Sequence, residues 1–275
     1  MCEIISNEVL SRKLNESVNW KFLVLFFILT IPIAWFWWIQ MALGLWPEAF
    51  VIIPSSLGGL SPILTLMILQ RLSNREVDVD KIAATARNWR EVIPWLLVAA
   101  FLIPLISVLA NCLNYLLGFE TNLELLNPGP AELGLALIAI IPLAFFPGLI
   151  TSPLFEEPGW RGFALPQLQA LFGRELGSLM IGVYWWTWHL MMNISFGIYP
   201  SILGLLAMLG RSFIIDSLFN LSKQNILVAM FTHQSMFVLL NFLYVPTDTI
   251  PLLLLISLTW IAVFILRIRE RQVNQ

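Results

Sequence analysis

Two adjacent carboxylates, one arginine and two histidines are the side chains best placed to do chemistry in a chain that is otherwise nearly uncharged. Glu156, Glu157 and Arg161 lie in Phe155-Glu156-Glu157-Pro158-Gly159-Trp160-Arg161-Gly162, at the end of a long apolar run. A charge at bilayer depth costs at least about 2.5–3.5 kcal/mol, so it is rarely kept without a role. The only two histidines, His189 and His233, each sit inside a later apolar run. Carboxylates and imidazoles in an apolar scaffold suit the activation of water, because a carboxylate partly out of water is the more basic for it.

Adjacent helical residues point about 100° apart, so Glu156 and Glu157 face different neighbours. Glu157 and Arg161 are four residues apart, a spacing that allows an ion pair on one helix face. Pro158 removes a backbone donor and clashes with the preceding turn, so a kink or a restart of the helix is expected there. The plainer reading of the same residues is an interfacial Glu–Arg cluster that ends a span. His189 lies about twelve residues into its run and His233 about ten into its own, which puts both near mid-bilayer at about 1.5 Å per residue. That shared depth is the reason to expect Glu156, His189 and His233 around one water-accessible cavity. The alternative is a hydrogen-bonded core histidine in each case. Two imidazoles and a carboxylate are compatible with a bound metal and equally with polarised water and no metal. No HExxH pair is present.

The elements that position these groups are membrane spans. The chain has 275 residues, 59% hydrophobic and 12% charged, against about 25% charged in soluble domains. Its apolar runs approach the roughly 20 residues that cross a bilayer. An all-α polytopic integral membrane protein is expected, with eight spans near 22–45, 50–70, 93–118, 134–154, 177–197, 200–220, 224–245 and 249–266. Strands of a membrane barrel alternate apolar and polar residues, and these runs do not. The domain reading is an N-terminal tail 1–21, one transmembrane domain 22–266 with a motif-bearing core near 134–245, and a C-terminal tail 267–275. Residues 71–92 form a polar loop with a short surface helix near 80–90, and 119–133 a second loop. Residues 163–172 read as an amphipathic segment at the interface.

Basic residues are enriched on the cytoplasmic side of membrane proteins. Arg12, Lys13, Lys21, Arg71, Arg75, Lys81, Arg87, Arg90, Arg161, Arg174, Lys223, Arg267, Arg269 and Arg271 all fall on one side of an eight-span arrangement. Glu48, Glu120, Glu124, Glu132 and Asp248 fall on the other. Both termini and the Glu156–Arg161 segment are thus expected at the cytoplasmic face of the cell membrane. Arg211 departs from this pattern; either it lies within a span and pairs or snorkels, or it marks the end of a short one. No basic patch suggests nucleic acid. Cys2 and Cys112 are not expected to form a disulfide and have no metal-ligand spacing.

The motifs resemble those of the CPBP family of intramembrane proteases, which includes CAAX endopeptidases and bacteriocin-processing or self-immunity (Abi-like) proteins. That family's pattern is EExxxR, then FxxxH, then HxxxN or HxxxD. Glu156, Glu157 and Arg161 match the first. The second is present as Trp185-xxx-His189, with Trp in the Phe position. The third keeps His233 but has Phe237 in the Asn/Asp position. The resemblance implies catalytic roles for all five residues. Glu156 would activate water, His189 and His233 would hold that water or stabilise the oxyanion, and Glu157 and Arg161 would orient the site. A metal, zinc first among candidates, would be held by Glu156, His189 and His233 if the reaction is metal-dependent. The implied partners are a peptide or protein substrate and the lipid bilayer. Phe237 cannot donate a hydrogen bond, and Gln234, Asn193 and Asn241 are the nearest replacements. Two rival readings stand beside the endopeptidase: a non-catalytic protein of the same fold in immunity or interaction, and an ion-coupled transporter, for which inverted repeats would be the sign.

Overall fold

In a computed structural model, residues 19–119, 136–242 and 248–273 are described, without the side chains of 136–140 and 238–242. The readings that involve Cys2, Arg12, Lys13, the acidic loop residues Glu120, Glu124 and Glu132, and the side chain of Asn241 lie outside them. Every regular element among the described residues is helical. They are α1 Trp20–Ala42, α2 Ile52–Gly59, α3 Ser61–Leu72, α4 Val79–Ala84, α5 Ile93–Leu116, α6 Ala136–Gly148, α7 Ser152–Glu157, α8 Leu165–Phe172, α9 Arg174–Ser195, α10 Ile202–Leu221, α11 Ile226–Phe242 and α12 Thr249–Val273. Short 3₁₀ turns lie at Glu48–Phe50 and Thr85–Asn88, and a π-helix at Pro158–Ala164. The protein is an all-α polytopic membrane protein. Among the described residues, five segments are long and apolar enough to cross a bilayer: Trp20–Ala42, Glu48–Leu72, Ile93–Leu116, Ile202–Leu221 and Thr249–Val273. The three other expected spans correspond to α6, α9 and α11. α9 is 22 residues long but carries Arg174, Glu175, His189 and Asn193.

The chain divides into two compact units, each discontinuous in sequence. One comprises the chain up to Ile82 together with Pro158–Tyr199, and the other Ala83–Glu157 together with Pro200 onward.

The first unit packs α1 against α2, α3 and α9, with α8 folded onto α9. Its interior is aromatic. Phe26 meets Trp160 and Phe163 edge-on at 5.2 and 5.4 Å between ring centroids. Buried indoles need an acceptor for their N–H, and most find one here. Trp38 donates to the Ser55 carbonyl at 3.1 Å and Trp188 to Ser61 Oγ at 2.9 Å. Trp35 donates to the Trp188 carbonyl at 3.1 Å, and Tyr184 to the Phe27 carbonyl. Two glycines allow close approach. A Cβ on Gly159 would lie 2.8 Å from Pro62 Cβ and 3.0 Å from Phe26 Cζ. One on Gly177 would lie 2.7 Å from the Gln169 backbone nitrogen.

In the second unit α11 is central, packing on α5, α6, α7 and α10, while α12 packs on α10 and α5. The start of α11 is tied to the 3₁₀ turn: Asn225 donates to the Thr85 carbonyl at 2.7 Å, and the Ile226 amide to Thr85 Oγ1 at 3.1 Å. Near the end of α12, buried Arg267 and Glu270 pair at 3.1 Å, and Asn220 of α10 donates to the same carboxylate at 3.3 Å. α10 continues ten residues beyond Arg211, so this arginine lies within the helix rather than at its end. It lines a small cavity with Ile103, Ile106 and Thr259.

Candidate functional site

α7 is a single short helix that starts at a Ser-Pro step and ends at the Glu pair. Proline is tolerated in a first helical turn, where its missing N–H would be unbonded in any case. The next proline, Pro158, falls after a full turn, where the α ladder needs its N–H. The ladder does not continue as α. It widens into the seven-residue π-helix Pro158–Ala164. The expected restart at Pro158 is thus a π segment, an irregularity frequent at functional sites. Glu156 and Glu157 are both buried, at 3% and 0% exposure.

Within the second unit, α7 lies against α11 and brings four side chains into one hydrogen-bonded line. His233 Nδ1 lies 2.6 Å from Glu157 Oε1. A carboxylate accepts only, so Nδ1 carries the hydrogen and donates it. Ser152 Oγ lies 3.2 Å from His233 Nε2. The same hydroxyl donates to Glu156 Oε1 at 2.5 Å. The order is Glu157, His233, Ser152, Glu156. Two of the residues singled out in the sequence, Glu157 and His233, are in direct contact, and Glu156 joins them through Ser152. Sequence reading missed Ser152. Its signal was its position four residues before Glu156, one helical turn back on the same face.

In the first unit, Arg161 and His189 share one neighbour, Trp185. The Arg161 guanidinium carbon lies 4.9 Å from the Trp185 ring centroid, a cation–π contact on a fully buried arginine. His189 sits edge-on to Trp185 and Trp188 at 5.1 and 4.6 Å and stacks on Trp38 at 6.3 Å. Its Nδ1 lies 2.8 Å from the Trp185 carbonyl one turn back, which fixes the hydrogen on Nδ1 and leaves Nε2 as the acceptor nitrogen of the neutral ring. Trp in the position where the family pattern has Phe supplies the stronger cation–π face.

The residues proposed as replacements for the missing Asn have different settings. Phe237 is 45% exposed. Gln234 is 2% exposed, its amide lies where a Cβ on Gly148 would be, and its Nε2 has no hydrogen-bond partner among the described residues. Asn193 is half-buried on α9 in the first unit. Among the described residues, no three His, Cys, Asp or Glu side chains within either unit are gathered as metal ligands.

Comparison with known proteins covers the segment that holds all these groups. A family model described as type II CAAX prenyl endopeptidase Rce1-like matches residues 138–239. A 49-residue stretch is 37% identical to CAAX prenyl protease 2 of Methanococcus maripaludis. That stretch is 18% of this chain and spans 17% of the relative's length. The resemblance to the CPBP membrane proteases is borne out over the motif-bearing segment.

Proposed function

We propose that this chain, which resembles the CPBP membrane proteases across its motif-bearing segment, is an intramembrane endopeptidase that hydrolyses a peptide bond with water activated by Glu156. The observation that carries the reading is the buried line Glu157–His233–Ser152–Glu156. It presents a carboxylate base whose proton has somewhere to go. Glu157 orients His233 and balances the charge that forms on it. By the roles the resemblance assigns, His189 stabilises the oxyanion and Arg161 helps to orient the site. The reaction takes place near the cytoplasmic face of the cell membrane, with both termini on that side. Cysteine labelling at position 127 tests this topology: labelling only from the cytoplasmic side overturns it.

The reaction needs no metal in this reading. Both ring nitrogens of His233 are engaged, Nδ1 by Glu157 and Nε2 by Ser152. Nδ1 donates to a carboxylate, as it also does in metal-ligating histidines, so the case against a metal rests on Nε2, which faces the Ser152 hydroxyl. Activity should therefore survive dialysis against a chelator, and loss restored by added zinc would reverse this conclusion.

A prenylated peptide with a CAAX terminus is the first substrate to test, because the matched relative is a CAAX prenyl protease. In purified, detergent-solubilised protein, Glu156→Gln keeps the shape of the side chain but cannot accept the proton. It should lower hydrolysis by about 10²–10⁴-fold with folding intact. Unchanged hydrolysis would mean that Glu156 is not the base. The non-catalytic alternative is favoured by one observation, Phe237 in the Asn/Asp position. It becomes the better reading if neither the wild type nor Phe237→Asn cleaves any peptide of a broad library.

A further inference from the structure

Ser152 belongs to none of the three motifs, yet its hydroxyl joins the two halves of the line. The proton count around it is informative. Glu156 and His233 Nε2 lie 2.5 and 3.2 Å from the same Oγ. With Glu156 ionised and His233 neutral, both are acceptors. A serine has one hydrogen to give. Both acceptors lie within hydrogen-bond distance of the same Oγ, so the serine hydrogen is shared between the two ends of the line. A proton that Glu156 takes from water therefore has a path through Oγ to Nε2.

We propose that Ser152 is a positioning residue that relays this proton from Glu156 to His233. The inference rests on Glu156 being the water-activating base. As water attacks the peptide carbonyl, an O–H bond of the water breaks and an O–H bond forms on Glu156. The Glu156 hydroxyl then donates to Ser152 Oγ. As Oγ takes that proton, the original serine O–H breaks and Nε2–H forms. Glu156 returns to carboxylate, and the new imidazolium sits 2.6 Å from the buried Glu157 carboxylate. Collapse of the tetrahedral intermediate needs a proton on the departing amine. The reverse shift supplies it: Nε2–H breaks, Glu156 O–H re-forms through Oγ, and Glu156 protonates the amine. No proton is gained or lost beyond those of water and peptide. The Ser152 hydroxyl lies within hydrogen-bond distance of both ends of that path.

The test pairs turnover with a direct view of His233. With a fluorogenic prenylated CAAX peptide as probe, Ser152→Ala should lower kcat by about 10²-fold, the low edge of general acid–base help, with KM little changed. Ser152→Thr, which keeps a hydroxyl, should restore most of it. The chain has two histidines, so ¹⁵N-histidine labelling gives two sets of ring resonances, assigned with His189→Gln. Ser152→Ala should move the Nε2 resonance of His233 and leave that of His189 in place. A Ser152→Ala protein as fast as the wild type, or one whose His233 Nε2 resonance does not move, overturns the relay. Glu156→Gln in the same assay separates the two ideas. If it is inactive while Ser152→Ala is fully active, the relay alone falls. If Glu156→Gln is fully active, or the wild type cleaves nothing, the base assignment falls and the relay with it.

Discussion

The two histidines have different surroundings: His189 lies toward the end of the 22-residue α9 and His233 midway along the 17-residue α11. His189 is held by aromatic rings and by the backbone of its own helix. His233 is held by a carboxylate and a hydroxyl from another helix. The first environment is assembled from packing, and a ring of similar shape would satisfy much of it. The second is assembled from hydrogen bonds with fixed donors and acceptors. In a bilayer, where unpaired polar groups are costly, the second arrangement ties folding and chemistry to the same atoms. The first lets them be separated.

Substitutions at the two positions should break apart accordingly. The largest effect is expected at His233. His233→Phe should lower activity by about 10²–10⁴-fold, the range of general acid–base help. It should also destabilise the fold by about 1–3 kcal/mol, because it removes the imidazole from a fully buried carboxylate. Thermal unfolding in detergent reads the second effect, and an unchanged midpoint would show that the Glu157–His233 bond contributes little to folding. His189→Phe should lower activity by about 10²–10³-fold if the ring stabilises an oxyanion. Its unfolding midpoint should stay near that of the wild type, since Trp38, Trp185 and Trp188 can pack against a phenyl ring. A large drop in midpoint would erase the contrast between the two sites.

Smaller effects sharpen it. Phe237→Asn restores the amide of the family pattern at an exposed position. It should raise hydrolysis, by up to about 10²-fold, at little cost in stability. No gain would turn attention to the buried Gln234 amide as the donor. The smallest effect on activity is expected for Gly177→Ala. Its Cβ would meet backbone atoms of Gln169 and Leu168 at 2.7–2.9 Å, a clash that no side-chain rotation relieves. Overpacking of this kind costs about 1–3 kcal/mol, so the midpoint should fall while the His233 ring resonances stay where they are.

Much of this architecture was legible because the bilayer imposes it. The expected first span 22–45 corresponds to Trp20–Ala42, and the run near 93–118 to Ile93–Leu116. In both, apolar length alone is decisive. The helical break at Pro158 followed from the missing N–H, but its form as a π-helix did not. Hydrogen-bond registers of α and π helices differ by one residue and share the same local composition. In the sequence, depth and polarity bring His233 together with Glu156; the carboxylate it touches is Glu157, and Glu156 joins through Ser152. Ser152 did not stand out, because a serine before a proline reads as an ordinary helix start. Its importance depends on which residue of α11 faces it, and that is a property of packing. Arg211 shows the same limit: its charge left open whether it lies within a span or ends a short one, and α10 carries it inside.

The π-helix at Pro158–Ala164 has a consequence for changes of length. Its hydrogen bonds close from residue i to i+5 instead of i+4, so the segment is in effect a one-residue insertion into an α-helix. Four residues, the gap between Glu157 and Arg161, complete an α-turn but fall short of a π-turn. Deleting a single residue such as Gly162 would let the ladder close as α. Because the deleted residue is the one the wider turn absorbs, the buried Leu165 and Leu168 would stay near the face they now pack, whereas adding a residue would swing them about 100° around the helix axis. The EExxxR segment should therefore tolerate the gain of a residue least, and its unlettered positions are themselves constrained: Gly159 has Pro62 and Phe26 where a Cβ would go, and Trp160 is fully buried against Phe26.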